Sequence, residues 1–163
     1  MNLSLQSIAR AVGGEVSGRR VLAPGPGHSP KDRSLAISIS NDAPDGFILH
    51  SFGGPQEVIG QLAELGAYFS LPGYFAHERK ERQRDAFRHV PPDRLLIETD
   101  APDQILPEAR IRFPLQDVQG RSVNHPANLV AVYEFAAEIL GESVEKLADI
   151  VEANFKRLFG TLV

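Results

Sequence analysis

The sequence predicts an α/β chain organised around a parallel sheet, and three observations predict it. From about residue 43 onward, short apolar runs alternate with amphipathic segments, the rhythm of repeated βα units. Glycine- and proline-rich breakers separate these segments at the places where strands must turn into helices. The composition, 42% hydrophobic and 23% charged over 163 residues, is that of a chain that folds. At this length one ordinary domain or two small ones bury a core, whereas a complete eight-fold βα barrel takes about 250 residues.

The elements follow in order. Leu3, Leu5, Ile8, Ala9 and Val12 make the apolar stripe of a short helix that Gly13-Gly14 stops, because glycine supplies the left-handed conformation favoured at a helix end. Glu15-Val16 and Arg20–Ala23 flank a turn at Ser17-Gly18-Arg19, and Leu35, Ile37 and Ile39 alternate with polar or small residues at the period of a half-buried strand. Two breaker clusters, residues 24–30 and 41–46, are loops, and the second is the expected boundary between a unit 1–42 and a unit 43–163.

Beyond it, Phe47-Ile48-Leu49 is a strand ending at His50, and residues 55–65 form a helix closed by Gly66. Residues 67–71 are the next strand, followed by a charged helix over 77–89 that turns only Ala86 and Phe87 toward a core. Residues 94–97 are a third strand, leading through a long proline-interrupted loop to helices at 126–140 and after Ser143. The last helix should bury Val144, Leu147, Ile150, Val151, Phe155, Leu158 and Phe159 as one face.

Composition excludes several functions. With no cysteine there is no disulfide scaffold, thiolate zinc site or cysteine nucleophile, so His and carboxylates are the remaining metal ligands. A net charge of −4 argues against gripping duplex DNA by counterion release, although a metal can meet phosphates inside an acidic protein. The amino-terminal residues lack the basic and apolar stretches of a secretory signal, and no run of 18 apolar residues occurs, so a cytoplasmic chain with no membrane partner is expected. No Gly-x-Ser-x-Gly elbow supports a serine hydrolase. The cations of residues 79–88 interleave with Glu78, Glu81 and Asp85 as a solvated helix face does.

His50 and Asp100 are the informative pair, since each ends a predicted parallel strand, where βα folds place their reacting groups. Imidazole and carboxylate are ligands a divalent ion accepts. Spacing alone leaves a second reading open, in which His50 satisfies loop carbonyls and Asp100 caps a turn before Ala101-Pro102.

Particular strings add to this. His50-Ser51-Phe52-Gly53-Gly54, Gly66-Ala67-Tyr68-Phe69-Ser70, Leu95-Leu96-Ile97-Glu98-Thr99-Asp100-Ala101-Pro102, Asn124-His125-Pro126 with Leu129, and Asn154–Gly160 resemble, in order and spacing, the C-terminal half of the TatD family of metal-dependent hydrolases and deoxyribonucleases. The resemblance implies a partial TIM-type (βα) barrel, C-terminal units only, and phosphodiester hydrolysis of DNA with a divalent Mg, Mn or Zn ion. It implies His50 and Asp100 as metal ligands, Asp100 also as the catalytic group that takes the water's proton, and Glu98 as a supporting residue. Asn124 and Pro126 would be structural. The family's first-strand His-x-His, a mid-chain Glu and a further His have no counterpart here: the histidines are His28, His50, His77, His89 and His125. A two-ion site normally takes about four to six protein ligands, so half the site is missing.

The first 50 residues resemble a different source. Residues 8–16, 22–35 and 45–47 look like the small β-rich N-terminal region of primase-like proteins that carry a Toprim domain. That resemblance implies nucleic-acid contact, with His28, Lys31 and Arg33 as the available cations. The expectation is a truncated chimera whose alternative functions are a nucleic-acid-binding module or a fragment without catalysis. Open sheet edges would invite self-association.

Overall fold

The computed structural model describes residues 4–18, 20–24, 31, 35–39 and 47–160. It is an α/β structure around one six-stranded sheet whose strands lie side by side in chain order. The strands are β1 (Glu15–Ser17), β2 (Arg20–Ala23), β3 (Leu35–Ile39), β4 (Phe47–His50), β5 (Ala67–Pro72) and β6 (Leu95–Glu98). The first three joins are antiparallel, and β4, β5 and β6 run parallel. Strand β3 pairs Ala36 with His50, so the unit expected over 1–42 continues into the sheet that carries the site. The breaker clusters at 25–30 and 41–46 lie outside the described residues.

Helix α1 (Leu5–Val12) starts at Ser4, whose hydroxyl accepts the Ser7 amide, and ends at Gly13 in the left-handed conformation. In the first crossover a 3₁₀ turn (Gln56–Val58) precedes α2 (Ile59–Glu64). Strand β5 is buried along its whole length, as a central strand covered on both faces must be, and its sequence is correspondingly apolar. The second crossover departs from the expected helix over 77–89. His77 is extended, with ψ of 140°, between two 3₁₀ turns, and α3 spans only Glu81–Phe87. The Arg84 guanidinium supplies the reason, donating to the carbonyls of Phe75 and His77 at 2.8 and 2.6 Å and holding that stretch out of the helix. Ala86 and Phe87 are the residues α3 buries, as expected.

After β6, the long loop contains a small hairpin, β7 (Leu115–Gln116) and β8 (Ser122–Val123), which the sequence reading did not anticipate. Asp117 closes it, accepting the Gln119 and Arg121 amides at 2.9 Å each, with Gly120 at φ 75°. Helices α4 (Leu129–Leu140) and α5 (Val144–Phe159) complete the chain and pack on β6. The buried row of α5 is Leu147, Val151, Asn154 and Leu158, whereas Val144, Phe155 and Phe159 are exposed. The expected apolar face is therefore split: 3.6-residue geometry carries Phe155 and Phe159 off the line of Leu147 and Val151, and Asn154 takes their place. The Asn154 amide donates to the carbonyls of Pro92 and Leu95 at 2.7 and 2.8 Å, pinning the start of β6 to α5.

Candidate metal centre

Strand register brings the site together. Pairing sets His50 opposite Ser70 and Ser70 opposite Leu96, and Glu98 lies two residues beyond Leu96 on the same face of β6. Asp100 follows on the loop, held at φ 55°, a left-handed conformation that aspartate tolerates better than most residues. Among the described residues, His50, Glu98 and Asp100 form a group whose donor atoms lie within 4.8 Å of one another. The structure thus assembles the three residues that the sequence singled out.

Their hydrogen bonds are specific. His50 Nδ1 bonds Glu98 Oε2 directly. The other Glu98 oxygen accepts the Ser51 amide at 3.0 Å, a contact that the left-handed Ser51 backbone, φ 49°, makes possible. The Ser51 hydroxyl lies 3.0 Å from Asp100 Oδ2 and 3.3 Å from Glu98 Oε1, and Gln104 Nε2 donates to it at 3.4 Å. With Nδ1 committed to Glu98, Nε2 is the imidazole nitrogen left for a metal, the arrangement in which a carboxylate fixes the ring for an ion on the opposite nitrogen.

Electrostatics reinforce the geometry. The Glu98 hydrogen bond, joined by the charges of Glu98 and Asp100, holds the His50 pKa above the ordinary histidine value against the opposing effect of burial. Burial and then the Glu98 charge push the Asp100 carboxyl above the usual carboxylate range, against its bond to Ser51 and the nearby imidazole. The group sits in a cleft of about 470 Å³ that Arg20, Ile97 and Leu129 also line. His50 is 33% exposed against 13% for Glu98, so solvent reaches the imidazole while Glu98 stays behind it.

Asn124 is 1% exposed, and its amide donates to Thr99 O at 2.6 Å and Gln104 O at 3.4 Å, so it fixes the loop carrying Asp100. Asn128 is equally buried, and its side-chain oxygen accepts the Arg112 and Phe113 amides. Sequence reasoning missed Ser51, Gln104 and Arg20 as members of the site. Ser51 had a signal, its place beside His50, but Arg20 reaches the cleft through the β2–β3–β4 pairings alone. Of the N-terminal cations, His28 and Arg33 lie outside the described residues and Lys31 is exposed.

Comparison with known proteins bears on this arrangement. A family model described as TatD related DNase matches residues 28–160. The chain is 39% identical over 127 residues to the uncharacterized metal-dependent hydrolase YcfH of Escherichia coli, covering 77% of this chain and 44% of that protein. It is 34% identical over 116 residues to the 3'-5' ssDNA/RNA exonuclease TatD of Citrobacter koseri, covering 71% and 42% respectively. The chain therefore spans less than half the length of these curated relatives. Among solved structures, the TatD homolog YJJV from Escherichia coli superposes with a TM-score of 0.59 at 24% identity, over 71% of this chain and 40% of that one. A TatD family hydrolase from Entamoeba histolytica gives 0.57 at 20% identity, over 70% and 42%. Those two likenesses are of fold.

Proposed function

The chain belongs to the TatD family, and from that premise we propose that it is a divalent-metal-dependent phosphodiesterase acting on DNA, with its centre at His50, Glu98 and Asp100. The observation carrying this reading is the convergence of one imidazole and two carboxylates at the C-terminal end of parallel strands. This donor set fits the group: nitrogen and oxygen ligands, partly buried yet open to solvent, suit Mg, Mn or Zn. His50 through Nε2 and Asp100 through a carboxylate oxygen would hold the ion, with Glu98 as the positioning residue behind His50. When bound, such an ion polarises a phosphoryl oxygen and lowers the pKa of water.

The chain's own residues do the rest. Glu98 takes the Nδ1 proton of His50 in a hydrogen bond and so fixes the tautomer. The Ser51 hydroxyl, supported by Gln104, holds Asp100 in register with Glu98. Asp100, oriented by the Ser51 hydroxyl, accepts the proton of the water that attacks phosphorus. The water oxygen forms the new bond to phosphorus, and the opposite P–O bond breaks with its electron pair on the departing sugar oxygen, which takes a proton from solvent.

The names of relatives that act on single-stranded DNA and RNA support a nucleic-acid substrate for this chain. A labelled single-stranded oligonucleotide incubated with Mg²⁺, Mn²⁺ or Zn²⁺ should be cleaved, with cleavage lost in chelator and in His50→Ala and Asp100→Asn. Cleavage that persists in Asp100→Asn would defeat the reading. A second reading, a nucleic-acid-binding or vestigial unit without catalysis, draws on the donor group numbering three among the described residues. Its signature is oligonucleotide binding indifferent to chelator and to Asp100→Asn. We also keep self-association as part of the proposal, because β1 and β6 end the sheet among the described residues. Mass that rises with concentration is its readout.

A further inference from the structure

Among the described residues, one permanent cation lines the cleft of the metal centre, and it comes from the amino-terminal unit. Arg20 opens β2, and its exposed side chain reaches the cleft of about 470 Å³ that holds His50, Glu98 and Asp100. Strand register puts it there. Leu22 pairs with Ala36 and Ala36 with His50, so these three stand level across the sheet; Arg20 lies two residues before Leu22 and shares its face, which is the face of His50. Neither Leu22 nor Ala36 has a side-chain atom that binds a metal, so what β2 brings to this side of the centre is a guanidinium. Arg20 also precedes residues 28–160, the stretch that the family model matches, and belongs to this chain's own amino-terminal segment.

This guanidinium does not close on the carboxylates beside it. Glu98 bonds His50 and Ser51, Asp100 bonds Ser51, and no ion pair joins Arg20 to a carboxylate among the described residues. Elsewhere in the chain an arginine placed to neutralise a carboxylate does close on it: Arg110 donates to both oxygens of Glu138, at 3.1 and 2.7 Å, in the forked geometry such pairs favour. Arg20 nevertheless belongs to the site electrically, since its charge is felt at His50, where it opposes the stronger hold of Glu98. An open fork of donors beside a set of metal ligands suits a tetrahedral anion, because a guanidinium is weakly hydrated and its geometry matches two phosphate oxygens.

We infer that Arg20 is the phosphate-binding residue of this centre, its guanidinium taking the non-bridging oxygens of the phosphodiester attacked beside His50 and Asp100. The inference rests on the proposed phosphodiesterase reading and deepens it, by giving the amino-terminal unit a part in the reaction. Arg20 offsets the negative charge of those oxygens as the water adds, from the side of the cleft where Leu22 and Ala36 offer a metal nothing. It keeps its own proton throughout, so the bonds that form and break are those already described. The strands before residue 42 then do more than extend the sheet: β2 delivers the cation that faces the substrate.

The test is NMR titration of the full chain with dimethyl phosphate, a phosphodiester without a base, in excess chelator and again with Zn²⁺, beside calorimetric titration with Zn²⁺ alone. Arg20→Gln should weaken dimethyl phosphate binding about tenfold in both series, the loss of charge-assisted hydrogen bonds, and leave the Zn²⁺ affinity within about threefold of the wild type. Arg20→Lys keeps the charge without the fork and should fall between the two. Arg10→Gln makes the same charge change at an exposed position in the last turn of α1 and should bind dimethyl phosphate as the wild type does. Because Arg20 is exposed, Arg20→Gln should also melt with the wild type. Unchanged dimethyl phosphate affinity in Arg20→Gln, an equal loss in Arg10→Gln, or no binding by the wild type in either series would overturn the assignment. A Zn²⁺ affinity that falls as far as the dimethyl phosphate affinity would overturn it too, since Arg20 would then support the centre and not the anion. Arg20-dependent binding without metal-dependent cleavage would uphold the assignment and sink the catalytic reading, and metal-dependent cleavage indifferent to Arg20→Gln would do the reverse.

Discussion

Replacing Asn154 by leucine tests how the site is held in place. Asn154 is 1% exposed, and its amide makes two hydrogen bonds, to Pro92 O and Leu95 O, at the start of the strand that ends in Glu98. Its side-chain oxygen accepts from Arg157 at 3.0 Å, and Arg157 also reaches Asp93 O. Leucine has a similar volume, so cavity formation is small and the readout is the loss of those bonds. Two lost bonds to partly buried carbonyls cost about 2–4 kcal/mol together. For a chain of this size that lowers the melting temperature by roughly 5–15 °C. Urea unfolding followed by circular dichroism gives the free energy, with Phe155→Leu as the control. Phe155 lies one residue on, is 40% exposed, and should cost less than about 1 kcal/mol. An Asn154→Leu midpoint equal to that of the wild type would refute the claim that α5 anchors β6 through this side chain.

Other substitutions report on neighbouring parts of the account. A Cβ at Gly73 would lie 2.8 Å from Val132 Cγ2 and 3.0 Å from Leu106 Cγ, so Gly73→Ala should destabilise by about 1–3 kcal/mol, read by the same unfolding assay. Glu98→Gln removes the charge behind His50 and should weaken metal binding about 10–100-fold, measured by calorimetric titration, while the fold persists. The folded-state pKa values of His50 and Asp100 are both raised, so their contribution to stability is complete below each group's unfolded pKa and is lost as pH rises through the folded one. In chelator, the stability advantage of Asp100→Asn over the wild type should therefore grow as pH rises above the ordinary carboxylate range. Urea midpoints across that interval check the sign, and an advantage that shrinks with rising pH would contradict it.

Much of this was legible in the sequence. The parallel strands announced themselves because β4, β5 and β6 are apolar runs between breakers, and Gly66, at φ 91°, closes a helix where the sequence put one. His50 and Asp100 were legible as a pair because each lies at or just past a predicted strand end, whereas Glu98 entered through the resemblance to the TatD family. What escaped depended on tertiary contacts. The break at His77 comes from Arg84 reaching back to two carbonyls, which helix periodicity does not encode. The β7–β8 hairpin has two-residue strands, too short for any alternation to show, although Asp117 and Gly120 carried its turn signal. The exposure of Phe155 and Phe159 follows from which row of α5 meets β6, and Asn154 decided that row by bonding to it.

The central claim is that His50 and Asp100 hold a divalent ion, and the most direct test is thermal unfolding of the purified chain in chelator and with added Mn²⁺ or Zn²⁺, alongside His50→Ala and Asp100→Asn. Metal at about a hundred times its dissociation constant stabilises by about 2.7 kcal/mol, which is a rise of roughly 5–11 °C here. The account predicts that rise in the wild type and its loss in both variants. A cooperative melt that metal leaves unmoved, or a rise that survives in both variants, would contradict it.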